Sequence, residues 1–336
     1  MQAADWDQTL GEQTGASFFH GSAWARTLQD SYGYSAVYHV LRGPGRRWSI
    51  LPLMEVDSWL TGRRGVALPF TDECAPLCQD ANAFAQLFQA AVDYAKSRHW
   101  KYLEIRGGRK FSDSAVASTS FWGHQLELGR DEEAVFSRVE SSVRRAVRKA
   151  KKSGVMVEFR QDAAALRAFY DLLCLTRRKH GVPPQPWAFF ASIQRHILAA
   201  GQGWVVLARY ENIPVAGAVF FHFGKTALFK YGASDESRQE IRANNLVMWE
   251  AIDRYGKEGF STLDFGRTSK DNDGLRRFKL SWGSSERLIE YLRFNLKCHR
   301  FVTCRDESSG WHNRLFRHMP MAALRLAGRF LYRHIA

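Results

Sequence analysis

One pattern occurs twice along this chain and constrains its fold more than any other feature. "AVYHVLRGPGRRWSILPLMEV" reads as strand, Gly-Pro-Gly turn and strand, and "WVVLARYENIPVAGAVFFHF" repeats that hairpin with a Glu-Asn turn. After the first comes a helix, "ANAFAQLFQAAVDYAKSRHW", and a short strand, "KYLEIRGG"; after the second come "NNLVMWEAIDRYGKEGF" and "STLDFGR". Each closing strand ends in carboxylate, arginine and glycine: Glu104, Arg106 and Gly107 in one, Asp264, Gly266 and Arg267 in the other. A unit of about 130 to 160 residues, repeated, fits the normal size of a domain. Hairpins followed by a helical crossover and one more strand imply an α+β fold in which a mixed, largely antiparallel sheet is flanked by helices. We place the first domain at residues 1–130, because "LGRDEEAVFSRVESS" opens a new helix with acidic residues in its first turn, the second at 131–300, and a basic helical tail at 301–336.

Charge narrows the partners. Among 336 residues, 48 Lys and Arg stand against 34 Asp and Glu, a net +14 that favours nucleic acid, phosphorylated substrates or an acidic membrane surface. Five cysteines without a paired C-x-x-C spacing point to reduced thiols and a cytoplasmic location. The N-terminus has no basic stretch leading into an apolar run, and no apolar segment is long enough to span a bilayer.

Three segments concentrate the positive charge. In "SSVRRAVRKAKKSGV", Val143, Ala146, Val147 and Ala150 fall on one helical face, and Arg144, Arg145, Arg148, Lys149, Lys151 and Lys152 on the other, with Gly154 as the C-terminal stop. "FGRTSKDNDGLRRFKLSWG" places Arg267, Lys270, Arg276, Arg277 and Lys279 on a loop and short helix after a strand, beside Phe278, Trp282 and Gly283. Loop cations at a strand end make an anion site, although any one of them alone reads as a solvated surface charge. The tail "PMAALRLAGRFLYRHIA" reads as a helix with Arg325, Arg329 and Arg333 on one side and Leu324, Leu326, Phe330, Leu331 and Ile335 as apolar surface. Such a helix either packs back on the body or lies on a membrane.

Several chemistries are excluded by their missing patterns. There is no H-E-x-x-H and no Cys/His quartet, so no metal site is expected; no G-x-S-x-G elbow, no P-loop and no dinucleotide glycine fingerprint occur. Pro183, Pro184 and Pro186 in "RRKHGVPPQPW" enforce an extended segment after a helix ending near His180 and Gly181, and His180 reads as a helix-end cation.

Taken in series, "SSVRRAVRKAKKSGVMVE", "FYDLLCLTRRKHGVPPQPWAFF", "YENIPVAGAVFF", "FKYGASDESRQEIRANNLVMWEAI", "STLDFGRTS" and "GLRRFKLSWG" resemble the FemAB-like proteins, strongly from Asp131 to Phe294 and weakly before that. Within that family the chain looks most like the branch associated with exosortase and PEP-CTERM exopolysaccharide systems. The resemblance implies two tandem GNAT-like domains and acyl transfer to an amine, without a tightly bound cofactor. Peptidoglycan-building members take an aminoacyl group from transfer RNA and attach it to a cell-wall precursor. Two departures bear on the donor. The long charged helical hairpin that many transfer-RNA-using members insert in the second domain is missing, and "RQEIRANNLVMW" carries Ala243, Asn244 and Asn245 where a coenzyme A loop would carry glycines. A helix N-terminus there still offers free N–H groups to an anion, so Asn244 is a candidate binding residue.

On the matching motif, Lys279 corresponds to the family's FK lysine, placed to stabilise negative charge on the acyl carbonyl, with Phe278 and Trp282 shaping the pocket. The resemblance further implies Arg145, Arg148 and Lys149 as phosphate ligands, and Asp264 and Arg267 as organisers of the strand end. Asp264, Glu104 or a water could take the amine's proton, and Tyr231 in "FKYGAS" either donates a hydrogen bond in the site or sits in the core. The leading reading is therefore a Fem-type acyl- or aminoacyltransferase acting on a phosphorylated cell-envelope or exopolysaccharide precursor, at or near the inner membrane face. The alternatives are an acyl-coenzyme A-dependent N-acyltransferase and a non-catalytic RNA-binding or scaffold protein.

Overall fold

The computed structural model describes residues 3–43, 47–112, 115–304 and 316–335; residues 305–315 of the tail lie outside that set. Backbone contacts divide the chain into two compact units, one of residues 1–121, 288–308 and 330–336, the other of 122–287 and 309–329.

The first unit begins with helices α1 (Ala3–Gly11) and α2 (Ser22–Tyr32). Strands β1 (Ser35–Arg42) and β2 (Trp48–Val56) form the expected hairpin, in register from Ser35 opposite Glu55 to Arg42 opposite Trp48. A short β3 (Arg64–Val66) runs antiparallel to β2 and parallel to β4 (Tyr102–Arg106), and α3 (Ala81–Ser97) connects β3 to β4. That crossover is what parallel neighbours require. Asp80 caps α3 by accepting the Ala83 N–H at 2.7 Å. The apolar face of α3, with Phe84, Leu87, Ala91 and Ala95 buried, packs on Leu51, Leu53, Leu103 and Ile105 of the sheet. Beyond β4, the second half of β11 (Ser285–Asn295) closes this unit's sheet antiparallel, Arg106 lying opposite Tyr291.

The second unit repeats the plan with longer strands. After β5 (Thr119–Glu127), helices α4 (Glu132–Arg138) and α5 (Ser141–Lys152) lead into β6 (Met156–Arg160), α6 (Ala163–Lys179) and α7 (Trp187–Ile193). Strands β6, β7 (Gly203–Tyr210), β8 (Ile213–Phe223) and β9 (Thr226–Ser234) form an antiparallel meander. Helix α8 (Ala243–Lys257) then crosses to β10 (Thr262–Ser269), which is parallel to β9. Helix α9 (Asp273–Leu280) follows, capped by Asn272 on the Leu275 N–H at 3.0 Å.

The helical period of α5 is realised as expected. Val143, Val147 and Ala150 are buried in the core shared with α8, and Arg145, Arg148 and Lys149 are exposed. Each buried valine there contributes about 1.5–3 kcal/mol relative to exposure. Gly154 ends the segment at φ +80°, a left-handed conformation that side chains resist.

The C-terminal helix, Met321–Leu331, packs back on the second unit through its N-terminal turns. Leu324 is fully buried, Arg325 pairs with Asp171 at 2.7 Å and stacks on Tyr170, and Gly328 lies so close to the Pro184 carbonyl that a Cβ would overlap it. The proline segment thus supplies a wall, and it is the tail helix that meets it. Leu326, Phe330 and Ile335, read from sequence as part of the helix's apolar surface, are more than half exposed.

Candidate functional site

The parallel pairing of β9 and β10 runs from Thr226 opposite Thr262 only as far as Leu228 opposite Asp264. Beyond that point β9 continues to Ser234 and β10 to Ser269, and a cavity of about 340 Å³ lies alongside β9. Its walls come from Phe229, Gly232 and Ser234 on β9, Asn244 and Met248 on α8, and Phe278 on α9. The β8–β9 register shifts at Val219 and Phe220, leaving Lys230 as an extra residue on β9. A bulge of this kind re-aims the side chains that follow it.

A neighbouring cavity of about 300 Å³ shares Ser234, Asn244 and Phe278 and opens onto the start of α8. Arg242 occupies the N-cap position at φ +59°, and no side chain caps this helix. The first-turn N–H groups of a helix have no partners within it and carry the positive end of its dipole. Here Ala243, Asn244 and Asn245 line the cavity together with Arg238 and Arg242. The Asn245 N–H already donates to the Arg242 carbonyl at 3.0 Å, which leaves the Ala243 and Asn244 N–H groups and the two guanidinium groups to make an anion site. An apolar slot lined by Phe229, Met248 and Phe278 lies beside it.

A third cavity, of about 520 Å³, shares Thr176 and Ser234 with the first and is bordered by Arg178, Lys179, His180 and Arg317. Thr176 ties the two together: its hydroxyl donates to the Ser234 carbonyl at 3.2 Å and accepts the Ser234 N–H at 3.1 Å. Lys179 is paired with Glu236 at 2.6 Å. Burial and the neighbouring Lys179, Arg177 and Arg317 push the His180 imidazole below its usual range, so it is neutral near pH 7. Sequence reading had made it a cation.

The residues singled out from sequence divide into groups. Asn244 and Phe278 line the first two cavities. Trp282 is fully buried and backs Phe278 edge-on at 6.2 Å. Asp264 stands at the last paired position of the two strands, where its Oδ1 accepts the Gly266 N–H at 2.6 Å and its Oδ2 lies 3.9 Å from Arg287. Lys279 is only 2% exposed, and its Nζ donates to the carbonyls of Gly266 at 3.0 Å and Arg267 at 2.9 Å. It therefore locks α9 onto the turn in β10. Tyr231 is turned among Phe189 and Phe190 of α7, and neither it nor the Arg267 side chain lines these cavities. Arg145, Arg148 and Lys149 stand on the exposed face of α5, also outside the cavity linings.

Sequence reading missed Arg238, Arg242, Thr176 and Ser234. Two arginines just ahead of a helix with no capping side chain, in "SRQEIRANN", were an available signal for the first pair. It also missed His124 on β5, which is 1% exposed. Neither ring nitrogen has a hydrogen-bond partner among the described residues, and the nearest carboxylate, Glu286, is 4.0 Å away and engaged bidentately by Arg276. Burial and then the Lys279 charge push the His124 pKa down to about 4. A folded-state pKa below the unfolded value of about 6.5 gives stability that is present above pH 6.5 and lost as pH falls toward 4, roughly 3 kcal/mol at the limit. Urea midpoints at pH 7.5, 5.5 and 4.5 are expected to fall less steeply for His124→Leu than for the parent; parallel slopes would refute this role.

Among the described residues there is no cluster of metal-ligating side chains and no helix long and apolar enough to cross a membrane. Residues 137–280 match the profile of the acetyltransferase (GNAT) domain family. The chain therefore carries a match to a GNAT domain within its second unit. Its fold is similar to that of FemX, at TM-score 0.70 and 14% identity over 86% of this chain and 96% of that one. It is also similar to the C-terminal domain of a putative lysylphosphatidylglycerol synthetase from Agrobacterium fabrum, at TM-score 0.55 and 13% identity over 86% and 90% of the two chains. A tandem GNAT protein of the clavulanic acid biosynthesis pathway gives TM-score 0.52 and 11% identity over 78% and 83%. No curated protein matches the chain. The chain accordingly has the two mixed-sheet units that the repeat implied, in a fold similar to that of the tandem GNAT protein.

Proposed function

We propose that this protein transfers an acyl or aminoacyl group to an amino group on a phosphorylated cell-envelope or exopolysaccharide precursor, at the cytoplasmic side of the membrane. The observation that carries the reading is the cavity beside β9, past its last pairing with β10, joined to the uncapped N-terminus of α8. The donor's acyl chain lies against Phe229 and Phe278, and its phosphates meet Arg238, Arg242 and the α8 N–H groups. The acceptor enters through the third cavity, where Arg178 and Arg317 receive its phosphate. Its neutral amine attacks the acyl carbonyl; the C–N bond forms, the bond to the donor's oxygen or sulfur breaks, and the amine's proton passes to solvent or to a nearby base. Asp264 and His180 are the candidates for that base. Division of the chain at residues 1–130, 131–300 and 301–336 follows the sequence repeat in this reading.

The anion site beside the apolar slot also favours acyl-coenzyme A over aminoacyl-transfer RNA as a specific second reading of the donor. Asn244→Asp tests the site in either case. A carboxylate in the first turn favours the helix dipole, so the urea midpoint is expected to hold or rise slightly. The same charge repels phosphate, so KM for the donor, or the concentration of acetyl-coenzyme A giving half-maximal thermal stabilisation, is expected to rise at least about tenfold. An unchanged donor dependence would remove α8 from the site.

A further inference from the structure

In the first unit, Trp59 is 85% exposed and Leu60 55% exposed, on the loop joining β2 to β3. Phe330 on the last turn of the C-terminal helix and Ile335 just after it are exposed at 63% and 52%. Four bare hydrophobic side chains of this size on two segments call for an explanation that single surface residues do not.

The two segments are fastened together. The Ser58 hydroxyl meets His334 Nδ1 at 2.9 Å, and the His334 carbonyl accepts from the Thr61 hydroxyl at 3.0 Å and from Arg64 at 2.7 Å. Arg64 is itself buried and also donates to Thr61 Oγ1 at 2.6 Å. The Trp59 ring stands edge-on to His334 at 5.4 Å, and the Tyr34 hydroxyl donates to the Tyr332 carbonyl at 3.1 Å. Buried polar groups thus hold the tryptophan outward on a built support.

The charges around it have one sign. No residue from 316 to 335 is acidic. Arg333 is exposed beside Ile335, and Lys101 extends its ammonium to the Thr61 carbonyl at 2.8 Å; neither has an acidic partner among the described residues. Asp57, the acid of the loop, is neutralised by Arg63 at 2.8 Å. Tryptophan flanked by aliphatic side chains and free cations matches the boundary between acyl chains and anionic headgroups.

We propose that the Trp59–Leu60 loop and the Phe330–Ile335 segment dock this protein on an anionic lipid bilayer. The surface stands apart from the acyl-transfer reading, and its test needs no turnover. Full-length protein is floated with phosphatidylcholine vesicles, with and without 30% phosphatidylglycerol as the probe composition, at low and high salt. Binding to the anionic vesicles is expected, weakened by salt. W59S/L60S is expected to reduce it at least about tenfold, and Phe330→Ser to reduce it with the loop intact. Arg333→Glu is expected to cost more than the about fivefold of one lost cation. Urea midpoints of W59S/L60S and Phe330→Ser are expected to match the parent's, since those side chains are exposed. Failure of the parent to bind, or full binding by both apolar variants, overturns the proposal. So does sedimentation showing a dimer that W59S/L60S dissociates without any vesicle binding, which would make the patch a contact between copies.

Discussion

Glu104→Leu is expected to lower the unfolding free energy by about 3–5 kcal/mol, a large share of the about 5–15 kcal/mol that holds an ordinary domain folded. Glu104 and Arg106 lie two residues apart on one face of β4, each almost fully buried. Arg106 donates twice to Glu104 Oε1 at 3.0 Å, and Arg293 donates to Oε2 at 2.6 Å. Burial alone would raise the carboxyl's pKa, but Arg106 and Arg293 outweigh it and hold the group below its usual range. Both oxygens are engaged and the anion is favoured, so Glu104 does not take up a proton near neutral pH. The general-base role weighed for it from sequence has no support in this geometry. Removing the carboxylate would leave Arg106 over the Tyr291 ring with the Leu68 and Thr71 carbonyls, at 3.4 and 3.2 Å, and the more distant Asp72 charge to stabilise it. The measurement is a double-mutant cycle in urea. Glu104→Leu combined with Arg106→Met is expected to be less damaging than Glu104→Leu alone, because no buried charge is then left without its partner. If the two losses simply add, the pair is not coupled and the account fails. The depressed carboxyl also sets a sign: this contribution is present above the unfolded carboxylate pKa and lost as pH falls through the folded one.

What sequence made legible was whatever depends on local period. Alternation gave the two hairpins, and the 3.6-residue repeat gave α3 and α8 as helices and α5 with its buried face, because burial follows directly from spacing in both cases. Strand β3 has only three residues, too few for any period to show. For the site, sequence could name residue types near a strand end but not which way each points. The bulge at Lys230 changes the alternation along β9, and Tyr231 lies among Phe189 and Phe190 while Gly232 and Ser234 face the cavity. Positive charge along the chain is a separate case. Arg145, Arg148 and Lys149 form the densest basic run, yet density along one helix records only that its other face is buried. Arg238 and Arg242 are fewer, but the short 3-10 turn Glu236–Ile241 and the left-handed Arg242 before α8 bring them to the same cavity as the free N–H groups of Ala243 and Asn244. Convergence of that kind is a property of the fold, and its linear trace is slight: two arginines ahead of an uncapped helix in "SRQEIRANN".

Lys279→Met is expected to lower kcat/KM by about a hundredfold or more and the unfolding free energy by about 2–4 kcal/mol together. An ammonium on an exposed loop could touch a reacting carbonyl and leave stability unaffected when removed. Here two of its N–H donors hold the Gly266 and Arg267 carbonyls, at the turn where Gly266 takes φ +70°. Methionine fills the volume but leaves both carbonyls without that donor. Because Lys279 is one residue from Phe278 and four from Leu275, loosening α9 moves two walls of the cavity beside β9. The two roles therefore separate by experiment. If Lys279 acts on α9, KM for the donor rises along with the fall in kcat, and the urea midpoint drops. If its charge instead acts on the acyl carbonyl, kcat alone collapses while KM and the midpoint hold. Arginine at this position keeps the charge but cannot fit its planar fork between the same two carbonyls. Lys279→Arg is accordingly expected to resemble Lys279→Met, and near-parental turnover in it would show that charge, rather than the attachment of α9 to β10, is what the reaction needs.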